Sequence, residues 1–394
     1  MGSDVITLTD TQKAIVETVR EFVDREVVPV ADELEHRDEF PDAIVEQMKE
    51  LGLFGLNVPE EYGGIGENLT TYALSVVELA RGWMSLSGIL NTHFMGNYLI
   101  EKFGTDEQKQ SYLPRMATGE LRAALAMSEP EAGSDVQAIR TKAMRDGDDY
   151  VLNGQKMWLT NGLRAGIVMT LVKTDPAADP PHKGMSMLIV EKEPGAPKPA
   201  PGLDVGKNID KMGYKGVETT EMTFSDHRVP VVQLLGTEEG QGFRQVLDGI
   251  EIGRVNVAAR AVGVATRAFE EAIRYSQERK AFGRRIADHQ AIQIHLAEMG
   301  TTLEAARLML LQAAQKKSAG ERSDLEAGMA KLFASEACNE ICLKALRVHG
   351  GYGYSKEFTV ERLYRDAPFL LIGEGTSEIQ KLVIARRLLE KYKI

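Results

Sequence analysis

The sequence predicts a mainly α-helical protein with an inserted antiparallel β domain, in the order α–β–α. Apolar residues recur at helical spacing before residue 122 and again from about residue 240, whereas short alternating stretches separated by turn dipeptides fill the middle of the chain. The 394 residues are enough for two or three domains with a large buried core. We therefore expect an N-terminal helical domain at 1–122, a middle β-barrel-like domain at 123–234 and a C-terminal four-helix bundle domain at 235–394.

Helix-start signals support the first helical domain. Thr9 with Gln12, and Thr105 with Gln108, have the spacing of a capping box, in which side chains satisfy backbone N–H groups of the first turn. In the segment FPDAIVEQMKELGLFG, Gly52 is suited to the end of a helix because glycine adopts the left-handed conformation without strain.

The middle section is predicted to contain short strands joined by tight turns. Dipeptides typical of hairpin turns occur at 146–147, 153–154 and 161–162. The segment KMWLTNG alternates like a strand, which places Trp158 and Thr160 on one face and Met157 and Leu159 on the other. An aromatic ring beside a hydroxyl suits the flank of a flat polar ring, although a tryptophan in the core fits the same pattern.

Long helices that are apolar on most faces are predicted in the last section. Ser323 with Glu326 has the capping-box spacing, and Ser377 with Gln380 is placed to begin the final helix. Helices of this kind are buried on more than one side, so we expect a bundle together with contacts between subunits.

Composition and charge exclude several classes of function. The net charge is −11 without a basic face, so no nucleic-acid partner is expected. No apolar run reaches the ~20 residues of a membrane span, and the N-terminal stretch lacks the basic and apolar segments of a leader, so we expect a cytoplasmic protein. The seven histidines are scattered, and we interpret Cys338 and Cys342 as buried apolar residues, so no metal site is predicted.

Two polar segments are candidates for binding anions. In AMSEPEAGSD, at 126–135, Ser134 and the neighbouring backbone N–H groups are suited to an anion, although a plain surface loop fits as well. In RYSQERKAFGRRI, at 274–286, four basic residues near Phe282 are suited to phosphates, with a solvated basic turn as the alternative. No GxGxxG motif follows a predicted strand, so a Rossmann unit is not indicated.

A single carboxylate, Glu374, follows a short apolar run in LLIGEGTSEIQKL and lies between Gly373 and Gly375. It is interpreted either as a polar loop residue between two helices or as a general base in an apolar pocket. An apolar pocket raises the pKa of a carboxyl group toward the operating pH, which is the requirement for a general base.

Taken together, these motifs resemble those of the acyl-CoA dehydrogenase family over essentially the whole chain. The matching stretches are LGLFGLNVPEEYGG, AMSEPEAGSD, KMWLTNG, ERKAFGRRIADHQAI, HGGYGY, RLYRDA and GEGTSEIQKLVIAR. They occur in the order found in the family, and the α–β–α layout is also that of the family.

The resemblance implies FAD, bound without covalent attachment, with the flavin between the β domain and the C-terminal bundle. By position, the implied cofactor contacts are Ser128, Ser134, Trp158, Thr160, Arg279, Phe282, Gln290, Arg347, Gly350, Gly351, Thr376 and Glu378. Of these, Arg279, Phe282 and Gln290 would reach the FAD of an adjacent subunit, which implies a homotetramer. Arg347 stands where many members carry Gln.

The resemblance also implies the acid–base chemistry. Glu374 matches the most common catalytic base of the family, whereas Gly253 occupies the position of the alternative base. The implied substrate-binding residues are Ser134, Glu251, Arg254, Gly373, Gly375 and Met84. Gly373 replaces a frequent Tyr, which predicts a wider acyl pocket. Met84 matches an Arg that pairs with a distal carboxylate in glutaryl-type relatives, so an aliphatic acyl group is expected, unless another basic residue, such as Arg81, reaches the pocket.

The implied reaction is the α,β-dehydrogenation of an acyl-CoA to the trans-2-enoyl-CoA, as in β-oxidation and fatty acid metabolism. Glu374 would take the α proton, flavin N5 would accept the β hydride, and an electron-transfer flavoprotein would reoxidise the FAD. Two alternatives remain at this point. One is an oxygen-using flavin oxidase or monooxygenase on the same fold, and the other is a non-catalytic helical scaffold. Straight, branched, cyclic and dicarboxylyl acyl groups are not distinguished by the motifs.

Overall fold

The computed structural model describes residues 8–394 and confirms the predicted α–β–α fold class. Residues 1–7, the start of the segment from which the absence of a leader was predicted, lie outside the described range. Within residues 8–394, no helix combines the length and apolar character that a membrane span requires.

Six helices form the first section. They are α1 (Asp10–Phe22), α2 (Ala31–His36), α3 (Asp42–Glu50), α4 (Leu69–Gly82), α5 (Met84–Phe103) and α6 (Asp106–Ala117). Both predicted capping boxes are confirmed, because Thr9 and Thr105 each accept a bond from the third helical N–H and receive the reciprocal glutamine bond. Gly52 has φ +71° just beyond α3, as predicted for a helix end.

Helix α5 lies in the centre of the molecule. All its residues from Met84 to Asn97 are buried, including the polar residues Asn91, Thr92 and His93. Because a buried polar group needs a hydrogen-bond partner, these side chains mark places where other elements must supply one.

A seven-stranded curled sheet forms the middle section. Its strands are β1 (Ala123–Ala126), β2 (Lys142–Asp146), β3 (Asp149–Thr160), β4 (Ile167–Lys173), β5 (Met185–Glu191), β6 (Leu203–Val205) and β7 (Thr219–Pro230). The strand order is β1-β4-β2-β3-β7-β6, with β5 paired to β4. Four of the pairs are antiparallel, but β4 pairs in parallel with β1, from Ala123 opposite Ile167 to Ala126 opposite Thr170, and with β2, at Lys142 opposite Lys173. The predicted antiparallel domain is therefore partly parallel.

Two of the three predicted turns are confirmed and one is wrong. The dipeptide 146–147 joins β2 to β3, and the dipeptide 161–162 directly follows β3. The dipeptide 153–154 lies inside β3, where the pairing register shifts between Leu152 and Gly154. Gly154 has φ +146°, and an added Cβ would lie 2.5 Å from Thr141 Oγ1, so glycine here permits a bulge rather than a turn.

The predicted strict alternation of KMWLTNG is also wrong. A second register shift lies between Lys156 and Leu159, and Trp158 within it has φ +65°. The bulge breaks the two-residue period, because Lys156 and Trp158, which alternation would place on one face, are fully buried and 57% exposed, respectively. This excludes the alternative of a core tryptophan at this position.

Six further helices and a short hairpin complete the chain. They are α7 (Gly242–Glu278), α8 (Gln290–Ser318), α9 (Asp324–His349), α10 (Thr359–Asp366), α11 (Phe369–Ile372) and α12 (Ser377–Lys391), with β8 (Lys280–Ala281) and β9 (Arg284–Arg285) between α7 and α8. Helix α9 packs against α7, α8 and α12, which gives the predicted four-helix bundle, and α7 also packs against α4 and α5.

Two predicted helix caps in this section are wrong. Ser323 precedes α9, but its hydroxyl donates to Glu251 Oε1 at 2.8 Å instead of capping the helix. The last helix is capped by Thr376, whose Oγ1 accepts from the Ile379 N–H at 3.3 Å, and not by Ser377. Both cysteines are free and buried, as expected.

Candidate active site

Glu374 lies in the short loop between α11 and α12, which places it against the inner surface of the bundle. Its backbone has φ +56°, and the following Gly375 has φ +90°. Burial raises the pKa of the Glu374 carboxyl group, and this effect is opposed by Arg260, Asn91, Lys331 and Arg254.

The Glu374 carboxylate rests against bare backbone of α7. A Cβ added to Gly253 would lie 2.7 Å from Glu374 Oε2 and 3.4 Å from the sulfur of Met95. The lack of a side chain at Gly253 therefore has two consequences. The alternative catalytic acid is absent from this position, and space is left for the Glu374 carboxylate.

Asn91, on the buried helix α5, holds the same carboxylate from the other side. Its Nδ2 donates to Glu374 Oε1 at 2.9 Å. Sequence reasoning missed this residue. The only signal in the sequence is that Asn91 is one of several polar residues in the largely apolar stretch LSGILNTHFM, and a buried amide of this kind does not by itself indicate a catalytic role.

The loop that carries Glu374 is fixed through its backbone carbonyls. Lys331, fully buried on α9, donates from Nζ to Gly375 O at 2.8 Å and to Leu371 O at 3.4 Å. Gln380 donates to Glu374 O at 3.3 Å and to Gly375 O at 3.2 Å. Burial lowers the pKa of Lys331 to about 8. Sequence reasoning missed Lys331 and treated Gln380 only as part of a helix cap.

The backbone N–H of Glu374 is free to donate to a ligand. Within residues 8–394, no backbone hydrogen bond outside the regular helices and strands is donated by this group. A donor beside a general base can stabilise negative charge that develops on the reacting group.

A cluster of buried polar side chains lies beside Glu374. Asn256 Nδ2 donates to the Tyr72 hydroxyl at 2.7 Å, and Arg260 Nε donates to Asn256 Oδ1 at 2.6 Å. Arg260 Nη1 donates to the Tyr214 hydroxyl at 3.1 Å, and Tyr214 stacks on Phe369 with ring centroids 4.7 Å apart. Sequence reasoning assigned no role to any of these residues.

The predicted loop at 126–135 is anchored to the strand that carries Trp158. The Ser128 carbonyl accepts from the Met157 N–H at 2.9 Å. Buried Lys156 forms a 2.8 Å ion pair with Glu129, which also accepts from the backbone N–H groups of residues 140 and 141. Ser134 is exposed at the surface of this loop.

Thr160, at the end of β3, lies near the polar cluster. Burial raises the pKa of Tyr214, and hydrogen bonding to Arg260 and Thr160 opposes that rise. Thr160 is therefore close to the Tyr214 hydroxyl. The structure thus brings the Trp158–Thr160 segment into the neighbourhood of Glu374.

A second group of predicted residues lines a separate surface cleft of about 540 Å³. Arg279, Gly350 and Gly351 lie in its wall, and the Arg279 guanidinium is 5.5 Å from the ring centroid of Tyr352. Neither Trp158 nor Glu374 lines this cleft.

Three more predicted cofactor contacts lie near the cleft. Phe282, with φ +51°, is 95% exposed at the tip of the β8–β9 hairpin, and Gln290 is the first residue of α8. Arg347 is in the last turn of α9, just before Gly350. The two other predicted contacts lie next to Glu374, where Thr376 caps α12 and Glu378 is exposed in its first turn.

The predicted substrate-binding residues do not all converge. Glu251 is ion-paired with Lys317 at 3.1 Å and bonded to Ser323, so its carboxylate already has partners. Arg254 has a buried Nε that lacks a hydrogen-bond partner among the described residues. Met84 is 1% exposed at the start of α5.

Gly373 does not leave an open space. A Cβ added there would lie 2.7 Å from Cζ of Phe369, so the Phe369 ring occupies the volume that a side chain at 373 would take. The reason given for a wider pocket is therefore not supported, because a neighbouring ring fills the gap.

Three family models match the chain. The N-terminal, middle and C-terminal domain models of acyl-CoA dehydrogenase match residues 9–120, 124–227 and 240–389, respectively. An acyl-CoA dehydrogenase of Bacillus subtilis is 41% identical over 383 residues, which cover 97% of this chain and 99% of the relative.

Solved structures agree with these matches. A chain in a structural study of the electron transferring flavoprotein of Acidaminococcus fermentans superposes with a TM-score of 0.93 at 37% identity, covering 98% of this chain and 99% of that one. Butyryl-CoA dehydrogenase from Megasphaera elsdenii gives a TM-score of 0.91 at 34% identity, with the same two coverages. With the three domain models matched in order and relatives of this identity over nearly the full length, the chain belongs to the acyl-CoA dehydrogenase family of enzymes.

Proposed function

We propose that this enzyme removes the α proton and the β hydride of an acyl-CoA thioester to give the trans-2-enoyl-CoA, with Glu374 as the general base. The observation that carries this proposal is the environment of the Glu374 carboxylate. It is held against Gly253 by the Asn91 amide, in a partly buried position whose desolvation raises its pKa. A base with a raised pKa is better matched to the weak acidity of a C–H group.

The loop around Glu374 supports the same role. Lys331 and Gln380 bind its carbonyl groups, so the side chain and the free N–H of Glu374 keep a fixed direction. The N–H can then donate to the thioester oxygen as negative charge develops there during proton removal. The carboxylate is partly buried, and a ligand that covers the rest of it would displace water and strengthen these interactions.

Members of the family are flavoproteins that bind FAD, and two features of this chain fit that group. Trp158 is an exposed aromatic ring held on a bulge beside Thr160, which suits the flank of a flat ring. The Arg279 cleft combines a cation with Gly350 and Gly351, where an added Cβ would meet nothing within 4 Å, and this suits phosphates close to the backbone. When bound, FAD would supply the acceptor for the β hydride.

The separation of these two features supports a shared site. The cleft of Arg279 does not include the residues beside Glu374, and this supports an arrangement in which an adjacent copy of the chain brings its own Arg279 to the FAD. Large apolar side chains also remain exposed on α8 and α9, namely Ile294, Leu308, Phe333 and Leu343. We therefore keep the homotetramer in the proposal, and the similarity to a chain studied with an electron transferring flavoprotein supports such a protein as electron acceptor.

The second candidate is an oxidase or monooxygenase that uses oxygen on the same fold. The presence of a base at Glu374, positioned by Asn91, favours the dehydrogenase. Forming the α,β double bond of the enoyl-CoA requires loss of the α proton as well as the β hydride, and Glu374 is suited to accept that proton. The non-catalytic scaffold is set aside by membership in this enzyme family.

The test is anaerobic bleaching of the flavin by a panel of acyl-CoA esters, with wild type and Glu374→Gln. Wild type should be bleached, and Glu374→Gln should retain flavin but react ~10²–10⁴-fold more slowly. Bleaching of the variant at the wild-type rate would remove Glu374 from its role. A stoichiometric yield of peroxide in air, unchanged by an artificial electron acceptor, would favour the oxidase.

A further inference from the structure

Arg260 is a cation buried in the interior of the bundle without a carboxylate bonded to it. It is 1% exposed, on the stretch of α7 that follows Gly253. None of the ion pairs within residues 8–394 includes it, and its bonds go to the neutral groups of Asn256 and Tyr214. Glu374 is close enough for the Arg260 charge to lower its pKa, but its bonded partner is Asn91. A buried charge without a bonded opposite charge is expensive, so its retention calls for a partner that arrives with a ligand.

The groups around Arg260 offer donors and few acceptors. The Tyr72 hydroxyl accepts from Asn256, and the Tyr214 hydroxyl accepts from Arg260, so neither phenol proton is used in these two bonds. Thr160 is a further neighbour of the Tyr214 hydroxyl, and an acceptor-only ligand would compete with it for the Tyr214 proton. Arg260 Nη2 makes no side-chain hydrogen bond within the described part of the chain. An arrangement of two phenol protons and a guanidinium edge fits a group that only accepts, and a carboxylate is such a group.

The cluster lies about one helical turn from the base. On α7, Asn256 follows the Gly253 that contacts Glu374 by three residues, a rise of ~4.5 Å. On α5, the Tyr214 hydroxyl packs on Gly88, where an added Cβ would lie 1.7 Å from it, and Gly88 precedes Asn91 by the same three residues. Both helices therefore place the donors about one helical turn from Glu374. A short acyl chain whose α carbon lies at Glu374 spans this distance.

We propose that Arg260, Tyr72 and Tyr214 bind the distal carboxylate of a short dicarboxylyl-CoA substrate. The proposal rests on the proposed function, and it replaces the expectation of an aliphatic acyl group. That expectation relied on Met84, which is on α5. The buried cation, Arg260, is instead on α7. The other candidate cation, Arg81, is already paired with three carboxylates, those of Asp24, Glu78 and Glu270.

The test compares glutaryl-CoA with its neutral methyl ester and with butyryl-CoA, on wild type, Arg260→Gln, Tyr72→Phe and Tyr214→Phe. Arg267→Gln is the matched control, because Arg267 is also buried on α7 but pairs with Glu271. Wild type should prefer the free carboxylate. Arg260→Gln should lower the ratio of kcat/KM for glutaryl-CoA over butyryl-CoA by ~10²–10³-fold, and each Tyr→Phe variant by ~10-fold, while the control keeps the wild-type ratio.

Binding gives a readout that does not depend on turnover. In Glu374→Gln, calorimetry should show tighter binding of glutaryl-CoA than of its methyl ester, and adding Arg260→Gln should abolish the difference. Equal affinity or equal turnover of acid and ester in proteins with an intact Arg260 would overturn the proposal. If wild type turns over no acyl-CoA at all, the proposed function fails, and calorimetry still decides whether Arg260 binds a carboxylate. Should Arg260→Gln not fold, the two Tyr→Phe variants, which each remove one hydroxyl, decide the question.

Discussion

The Asn91 side-chain amide donates a 2.9 Å hydrogen bond to Oε1 of Glu374, joining residues that are 283 positions apart in the chain. The bond favours the ionised carboxylate, whereas burial of the same group favours its protonated form. The readiness of Glu374 to take a proton depends on the balance of these two effects and on the nearby cations of Arg260, Lys331 and Arg254.

Replacing Asn91 by Leu should raise the pKa of Glu374 further, because a donor to the charged form is lost. The acid limb of the kcat/KM–pH profile should move to higher pH, and at a pH on that limb the rate should fall by ~10-fold. Asn97→Leu removes a buried amide from the same helix that bonds Phe54 instead of Glu374, and it should leave the profile in place. An unchanged acid limb in Asn91→Leu would show that the bond does not control the ionisation of Glu374.

Glu374→Gln should be more stable than wild type at neutral pH. Since burial raises the folded-state pKa of Glu374, the folded protein holds this proton more tightly than the unfolded chain does. Wild type therefore loses stability as pH rises from the unfolded pKa of a glutamate through the raised folded value. Thermal unfolding from pH 4 to pH 8 should give similar Tm values at the acid end and a higher Tm for the variant at the neutral end. A lower Tm for the variant at neutral pH would contradict this.

Lys331→Met should slow catalysis without releasing flavin. The variant loses the bonds to Gly375 O and Leu371 O that fix the loop of Glu374, so the base is held less firmly. We expect kcat to fall by ~10–10²-fold. The control is Lys316→Met, which removes a partly exposed ion pair with Glu326 and should retain wild-type kcat. A Lys331→Met enzyme of full activity would mean that the loop holds its geometry without this lysine.

Arg279→Ala should purify with less flavin and dissociate more readily on dilution. Arg279 lines the cleft next to Gly350 and Gly351, and its loss removes the cation proposed to bind phosphate across a subunit interface. Flavin absorbance per chain and sedimentation over a dilution series measure both effects. Arg274→Ala, at an exposed position paired with Glu271, is the control. Full flavin content with an unchanged oligomer would count against the shared site.

Gly373→Tyr should destabilise the protein by about 1–3 kcal/mol, because the new side chain collides with the Phe369 ring. The double variant Gly373→Tyr/Phe369→Ala should recover part of this loss, since it removes the ring that occupies the space. Urea unfolding of the single and double variants measures the recovery. If Gly373→Tyr alone is as stable as wild type, the loop accommodates the ring in another way.

The fold class could be predicted because it depends on local patterns. The capping boxes at Thr9 and Thr105 and the change of apolar period after residue 122 each involve neighbours in sequence. Prediction failed where a residue far away in sequence, rather than a near neighbour, provided the contact that decides the local structure. Ser323 has the sequence of a cap, but its hydroxyl bonds Glu251 on another helix. The Asn-Gly pair at 153–154 has the sequence of a turn, but Gly154 packs against Thr141 within a longer strand.

The candidate site shows the same limit. Glu374 was recognisable because its flanking glycines and apolar run are adjacent in sequence. Arg260 was not, because an arginine on a long helix is usually exposed, and only the packing of α4, α5 and α7 shows that this one is buried beside the base. The expectation about Gly373 failed for a related reason, since the ring that fills its space belongs to Phe369 in the preceding turn.

The long separation between Asn91 and Glu374 has a consequence for the order of folding events. A contact that closes a loop of 283 residues carries a large entropic penalty and forms late compared with the hairpins of the sheet, whose partners are near neighbours. During refolding, circular dichroism should therefore report native helix and strand content before the base is in place. Catalytic competence would return only in the final phase, which makes enzyme activity a stricter measure of complete folding than any spectroscopic signal of local structure.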